Sequence, residues 1–290
     1  MSKNKYIFLP LLVMLLWGTL FPMVKLGYTT YGIVTTGDIL FFAGIRFTIC
    51  GAVICLYALL TDKASYNGVK STLVPIILSG LFAITLHYGF TYAGLKFTDS
   101  SKTAVLKQVG VLFYVCFSSL FFKEDKLTIK KLIAVLMGFA GIIAINASGD
   151  GIKFNLGDVF IISASFCTVF SNVISKKALT TVKPVTMTGT SQLFGGIVLL
   201  IVGVFLGGGM NLMLSNIYVI FYICLASIFS YCIWFTVVKN GELSKLFIIK
   251  FAEPAFACLF GALILGENIF KIQYLVAYLL IAGGICISHK

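Results

Sequence analysis

Charge is scarce in this sequence. Only 11% of its 290 residues are Asp, Glu, Lys or Arg, against 59% hydrophobic, and the mean hydropathy is +1.04. A water-facing surface needs far more charge, so a soluble domain of this length is excluded. Polar interruptions are scarce too. Apolar runs of membrane-spanning length recur from end to end, which predicts an all-α polytopic membrane protein. The unbroken runs exclude a β-barrel, whose strands alternate. Acids number 10 against 22 basic residues, and Arg46 is the only arginine. In a soluble protein the net charge of +12 would suggest nucleic acid. Here it reads as cytoplasmic loops facing anionic lipid. The expected partner is therefore the lipid bilayer, with no nucleic acid.

Catalytic signatures are missing as well. There is no nucleophile–base pair, no HExxH and no GxxxxGK[ST] loop, so neither an enzyme nor an ATP-driven pump is expected. The eight cysteines form no CxxC pair and all lie in apolar segments, where they read as packing residues. No cofactor and no metal are implied. The first apolar run has a basic start but no small-residue cleavage site, and is read as a retained helix.

Ten spans are predicted, at about 7–28, 38–60, 72–95, 101–122, 129–147, 158–178, 185–206, 215–237, 244–265 and 271–288. With the N-terminus inside, fourteen lysines fall in cytoplasmic segments and four outside. That bias places both termini in the cytoplasm of a bacterial-type inner (cell) membrane. Four basic residues remain within the spans: Lys25, Arg46, Lys107 and Lys250.

The chain repeats itself. SKTAVLKQVGVLFYVCFSSLFFKE, from Ser101 to Glu124, returns 143 residues later as SKLFIIKFAEPAFACLFGALILGE, from Ser244 to Glu267. Lys107 answers to Lys250, Phe113 to Phe256, Phe117 to Phe260 and Glu124 to Glu267. Tyr88 answers to Tyr231 at the same offset; farther upstream the offset drifts, and Arg46–Phe47 falls on Gln192–Leu193. The division is 1–148 and 149–290, with five spans each. An odd number of spans makes the second repeat enter the membrane inverted, the pattern of alternating-access transporters with a substrate site near the midplane.

Trp17–Gly18 with Phe21 and Lys25, Arg46–Phe47, Leu120–Glu124 and Gly138–Ile142 carry a family resemblance. The second half echoes them in Leu263–Glu267 and Ala282–Ile285, with Gly157–Asp158 opening span six and Glu253–Pro254 in span nine. The chain resembles the drug/metabolite transporter superfamily in its EamA-type branch, over essentially its whole length. That resemblance implies ten helices, two inverted five-helix repeats and a central cavity, and a substrate among amino acids, amines, carboxylates and other metabolites. Val111 departs from the pattern, standing where the second copy has Pro254.

Ionisable groups inside a membrane are expensive, so each is a functional candidate. Lys107 and Lys250 are expected to face the interior from opposite sides. Glu253 lies three residues after Lys250 on the same helix face, near mid-membrane. Pro254 donates no backbone hydrogen bond and frees a carbonyl near Lys250. His87 suits a proton relay, and with Glu253 is a candidate for proton coupling. Gln108 and Asn172 could orient a ligand, or simply join helices. Trp17, Tyr88, Tyr231 and Trp234 are candidate aromatic walls. Asp38, Asp99, Asp158 and Glu242 sit at helix starts, as caps.

These features point to a secondary exporter of amino acids or related small zwitterionic or anionic metabolites, proton-coupled through Glu253. An exporter of cationic amines or drugs fits less well, with one central carboxylate against two lysines. A membrane-embedded scramblase or enzyme is the alternative from another class. Two complete repeats in one chain leave a homodimer compatible but not required.

Overall fold

The computed structural model describes residues 5–95, 97, 103, 106–146, 154–212, 216–266 and 272–289. Ser101, Lys102 and Glu267, which frame the repeat, lie outside them, as does the cap candidate Asp99. Among the described residues there is no strand, and the chain forms ten helical segments, so the protein is an all-helical polytopic membrane protein. They are α1 (Lys5–Tyr31), α2 (Thr36–Thr61), α3 (Leu73–Gly80, a π-helical turn over Leu81–Leu86, then His87–Leu95), α4 (Val109–Phe121) and α5 (Ile129–Asn146). Then come α6 (Leu156–Ala178), α7 (Pro184–Phe205), α8 (Ile217–Asn240), α9 (Leu243–Ile249, a break, Ala252–Leu265) and α10 (Ile272–His289). Seven are long and apolar enough to cross a bilayer unaided. Large side chains such as Leu120 and Phe205 stand 78% and 85% exposed, as lipid permits and water does not.

The chain packs as two compact units. The first is Met1–Pro22, Ala93–Val169 and Asn240–Lys290; the second is Met23–Tyr92 and Phe170–Lys239. Each unit draws on both sequence halves.

In the second unit, α2 and α7 run antiparallel in intimate contact. Glycine makes this possible: a Cβ on Gly44 would meet the Leu200 backbone nitrogen at 2.4 Å, and one on Gly51 the Leu193 nitrogen at 2.3 Å. Such small-residue seams let membrane helices gain dispersion energy where no hydrophobic effect drives them together. α3 lies on α7 as well, with the Thr85 hydroxyl donating to the Gly195 carbonyl at 3.1 Å. The start of α2 carries a reciprocal cap. Thr35 Oγ1 accepts from the Asp38 amide, and the Asp38 carboxylate accepts from the Thr35 amide at 2.8 Å. The core gathers Leu40, Ala43, Phe47, Ile84 and Leu199, edged by Tyr88, Tyr92 and Tyr231.

In the first unit, α5 packs along α10, and the first part of α9 lies on α4. The Tyr114 and Phe247 rings meet at 4.8 Å. At the start of α6, Asn155 and Asp158 form a second reciprocal cap: the Asn155 amide donates to the carboxylate at 2.7 Å, and the Asp158 amide to Asn155 Oδ1 at 3.1 Å. Glu242 precedes α9 but makes no side-chain cap. It is engaged by lysines instead.

Candidate functional site

The break in α9 begins with its proline. Pro254 has no N–H for the Lys250 carbonyl, and the Glu253 amide takes that carbonyl instead, at 3.0 Å. Lys250 and Phe251 both stand at φ −60°, ψ −21°, so the ladder tightens to three-residue bonds for one turn. The Lys250 ammonium lies 5.6 Å from the Trp17 ring centroid and 5.4 Å from that of Phe247.

The chain is also interrupted at Lys107–Gln108, the matching place in the first copy, without any proline. α4 begins only at Val109, with Gln108 at φ −82°, ψ −10°. Lys107 Nζ lies 5.9 Å from the Phe21 ring centroid. Trp17 and Phe21 are one turn apart on α1, so neighbouring rings of one helix face receive the two ammonium groups. Glu253 is within electrostatic reach of both lysines, and the lysines are within reach of each other. All three are half-buried. The first unit thus brings Trp17, Lys107, Lys250 and Glu253 together, with Gln108 buried beside Lys107 in the interrupted stretch.

The other five candidates lie in the second unit. His87 follows the π-helical turn, a departure often found where a helix does something besides span. Its ring meets Tyr88 edge-on at 5.2 Å. Tyr88 and Tyr231 flank Phe47, at 5.0 and 6.0 Å between centroids. Trp234 and Asn172 are joined to each other: the indole N–H donates to Asn172 Oδ1 at 2.7 Å, both side chains being buried. That bond ties α8 to α6.

Sequence reasoning missed Asp125. It singled out neighbouring Glu124, which is exposed, and counted Lys131 only among the cytoplasmic lysines. In the structure both Asp125 and Lys131 are buried, with Nζ to Oδ1 at 2.8 Å. Asp125 also accepts from the Ser244 amide at 3.0 Å, from the Ser244 hydroxyl, and from the Tyr114 hydroxyl at 3.1 Å. Lys131 reaches Glu242 at 3.0 Å and the Lys126 carbonyl at 2.8 Å. Burial by itself raises the Asp125 pKa. The bonds from Lys131 and Ser244 outweigh it and hold the carboxyl below its ordinary value. Glu242 behaves likewise: burial raises its pKa, and Lys131 and then Lys245 bring it below its ordinary value. No sequence spacing marks Asp125, because its partners come from α4, α5 and the start of α9. Among the described residues, no three His, Cys, Asp or Glu side chains gather as metal ligands would.

The sequence model of the EamA-like transporter family matches twice, over residues 4–147 and 155–289. Among curated relatives, "Uncharacterized transporter YvbV" of Bacillus subtilis is 24% identical over 295 residues, covering 100% of this chain and 93% of its own. "Uncharacterized inner membrane transporter YedA" of Escherichia coli is 25% identical over 283 residues, covering 94% and 90%. A solved crystal structure superposes with a TM-score of 0.81 at 19% identity, covering 99% of this chain and 97% of that one. That last likeness concerns the fold.

Proposed function

The chain belongs to the EamA-like transporter family, and from that premise we propose that it is a secondary-active, alternating-access exporter of amino acids or related small zwitterionic or anionic metabolites. Two matches of one family model to successive halves support a duplicated origin. Five helices per half favour an inverted pair, whose rocking would expose a site to one side and then the other. The positive-inside bias favours cytoplasmic termini.

One observation carries the choice of substrate: a single carboxylate, Glu253, shares its surroundings with two lysines at a helix break. Lys250, assisted by Lys107, suits a substrate carboxylate. Glu253 suits the substrate ammonium when ionised and releases it when protonated, which couples movement to a proton. Two ammonium groups disfavour a cation as the sole cargo. The interrupted backbone around Lys250 and Lys107 gives the helices a place to flex without breaking a full ladder.

The test is counterflow of radiolabelled amino acids in proteoliposomes. The wild-type protein exchanges at least one of them. Lys250→Met loses exchange, and Glu253→Gln loses its dependence on a pH gradient. Wild-type exchange from both variants would sink the assignment.

A further inference from the structure

We propose that the second unit carries an anion-recognition site of its own, built on Arg46 and Gln192, which takes the carboxylate of a small hydroxy- or amino-acid. Arg46 lies in α2 and is 4% exposed. Its Nε donates to the Ser227 hydroxyl at 2.9 Å, and its guanidinium carbon sits 4.7 Å over the Phe47 ring. Its Nη2 is buried without a hydrogen-bond partner among the described residues.

A guanidinium stays protonated in any protein environment, and a buried charge needs a partner. The second unit's own acids do not supply one. Its carboxylates are Asp38 and Asp62, one at each end of α2. Asp38 is taken up by the amides of Thr35 and Gly209, and Asp62 by Lys183. At 1.5 Å per residue they stand about 12 Å and about 24 Å along the helix from Arg46.

Gln192 is the second orphan. It is fully buried, and neither its Oε1 nor its Nε2 has a hydrogen-bond partner among the described residues. The antiparallel register, with Gly51 against Leu193 and Gly44 against Leu200, sets Gln192 about 9 Å from Arg46 along α2. The face is right as well. Thr188, one turn earlier, reaches the Tyr231 carbonyl at 3.5 Å, and Leu199, two turns later, packs with Phe47, Tyr88 and Tyr231. Both orphans therefore border the same aromatic cluster. Arginine matches a carboxylate through a planar fork. The glutamine amide both donates and accepts, and suits the hydroxyl or amino group beside that carboxylate.

This inference leans on the transport reading only in taking the bound acid as cargo. Because Arg46 is the one arginine of the chain, phenylglyoxal labelling of the purified, folded protein, read by mass on the peptide that holds Arg46, reports on this site. L-lactate and L-serine are expected to slow labelling several-fold, and lactamide and serinamide are expected not to. Gln192→Leu should keep the labelling and lose the protection. Labelling that neither acid slows, or no labelling of the folded protein, overturns the proposal. Protection in a protein that exchanges nothing leaves the anion site standing and removes the transport reading. Exchange without protection does the reverse.

Discussion

Replacing Asp125 with alanine strips a buried lysine of its closest counter-charge. The Lys131 and Asp125 side chains are 5% and 3% exposed. Removing one member of such a pair costs about 3–5 kcal/mol, because the other stays behind unpaired. Lys131 keeps Glu242 at 3.0 Å, on a side chain that is 42% exposed, and the Lys126 carbonyl, which sets the expected loss at the low end, about 3 kcal/mol. At roughly 2–4 °C per kcal/mol the unfolding midpoint falls by about 6–12 °C. Lys131→Met should cost less, since Asp125 keeps the Ser244 amide and hydroxyl and the Tyr114 hydroxyl. The pH dependence has a definite sign. The Asp125 carboxyl is held below its ordinary value, so its stabilisation is complete above about pH 4 and is lost as pH falls through the lower, folded-state value. The gap between wild type and Asp125→Ala should stay constant above about pH 5 and shrink below pH 4. Thermal unfolding in detergent across that range measures it. An Asp125→Ala midpoint within about 2 °C of wild type, or a larger loss from Lys131→Met, would refute the reasoning.

Other changes probe other links. Gly51→Ala sets a methyl group 2.3 Å from the Leu193 backbone nitrogen, which has no rotamer to yield, and should cost about 1–3 kcal/mol or more in thermal unfolding. Trp234→Phe deletes the bond to Asn172 and should lose about 1 kcal/mol while leaving exchange intact, as befits a bond between helices. Pro254→Ala supplies an amide able to reach the Lys250 carbonyl. Its unfolding midpoint should hold or rise, and exchange in proteoliposomes should slow about 10-fold, equivalent to about 1.4 kcal/mol on the barrier.

The number and order of the helices are plain in the sequence, because twenty-residue apolar runs separated by turn formers have one physical solution in lipid. The break at Lys250 is equally legible: a proline in mid-helix removes a donor wherever it stands. The interruption at Lys107–Gln108 is not, because Val111 supplies the amide that Pro254 lacks and the change is written in backbone angles alone. The π-helical turn before His87 is hidden likewise, since Leu81–Leu86 carries no breaker. For the site, the repeat pointed to Lys107 and Lys250, and helical spacing pointed to Glu253. That Glu253 answers to both lysines needed the fold, as did Asp125, whose four donors come from three segments, one of them 119 residues away. The orphaned amide of Gln192 sits in an unremarkable polar run, TGTSQ, and only packing reveals that nothing among the described residues satisfies it.

The central claim is that Glu253 couples a proton to substrate movement beside Lys250. Proton flux into proteoliposomes, recorded with an internal pH dye while amino acids are added one at a time, tests it most directly. Wild-type protein should move protons only when a transported amino acid is present, and Glu253→Gln should exchange that amino acid without moving protons. Substrate-driven proton flux undiminished in Glu253→Gln would contradict the account.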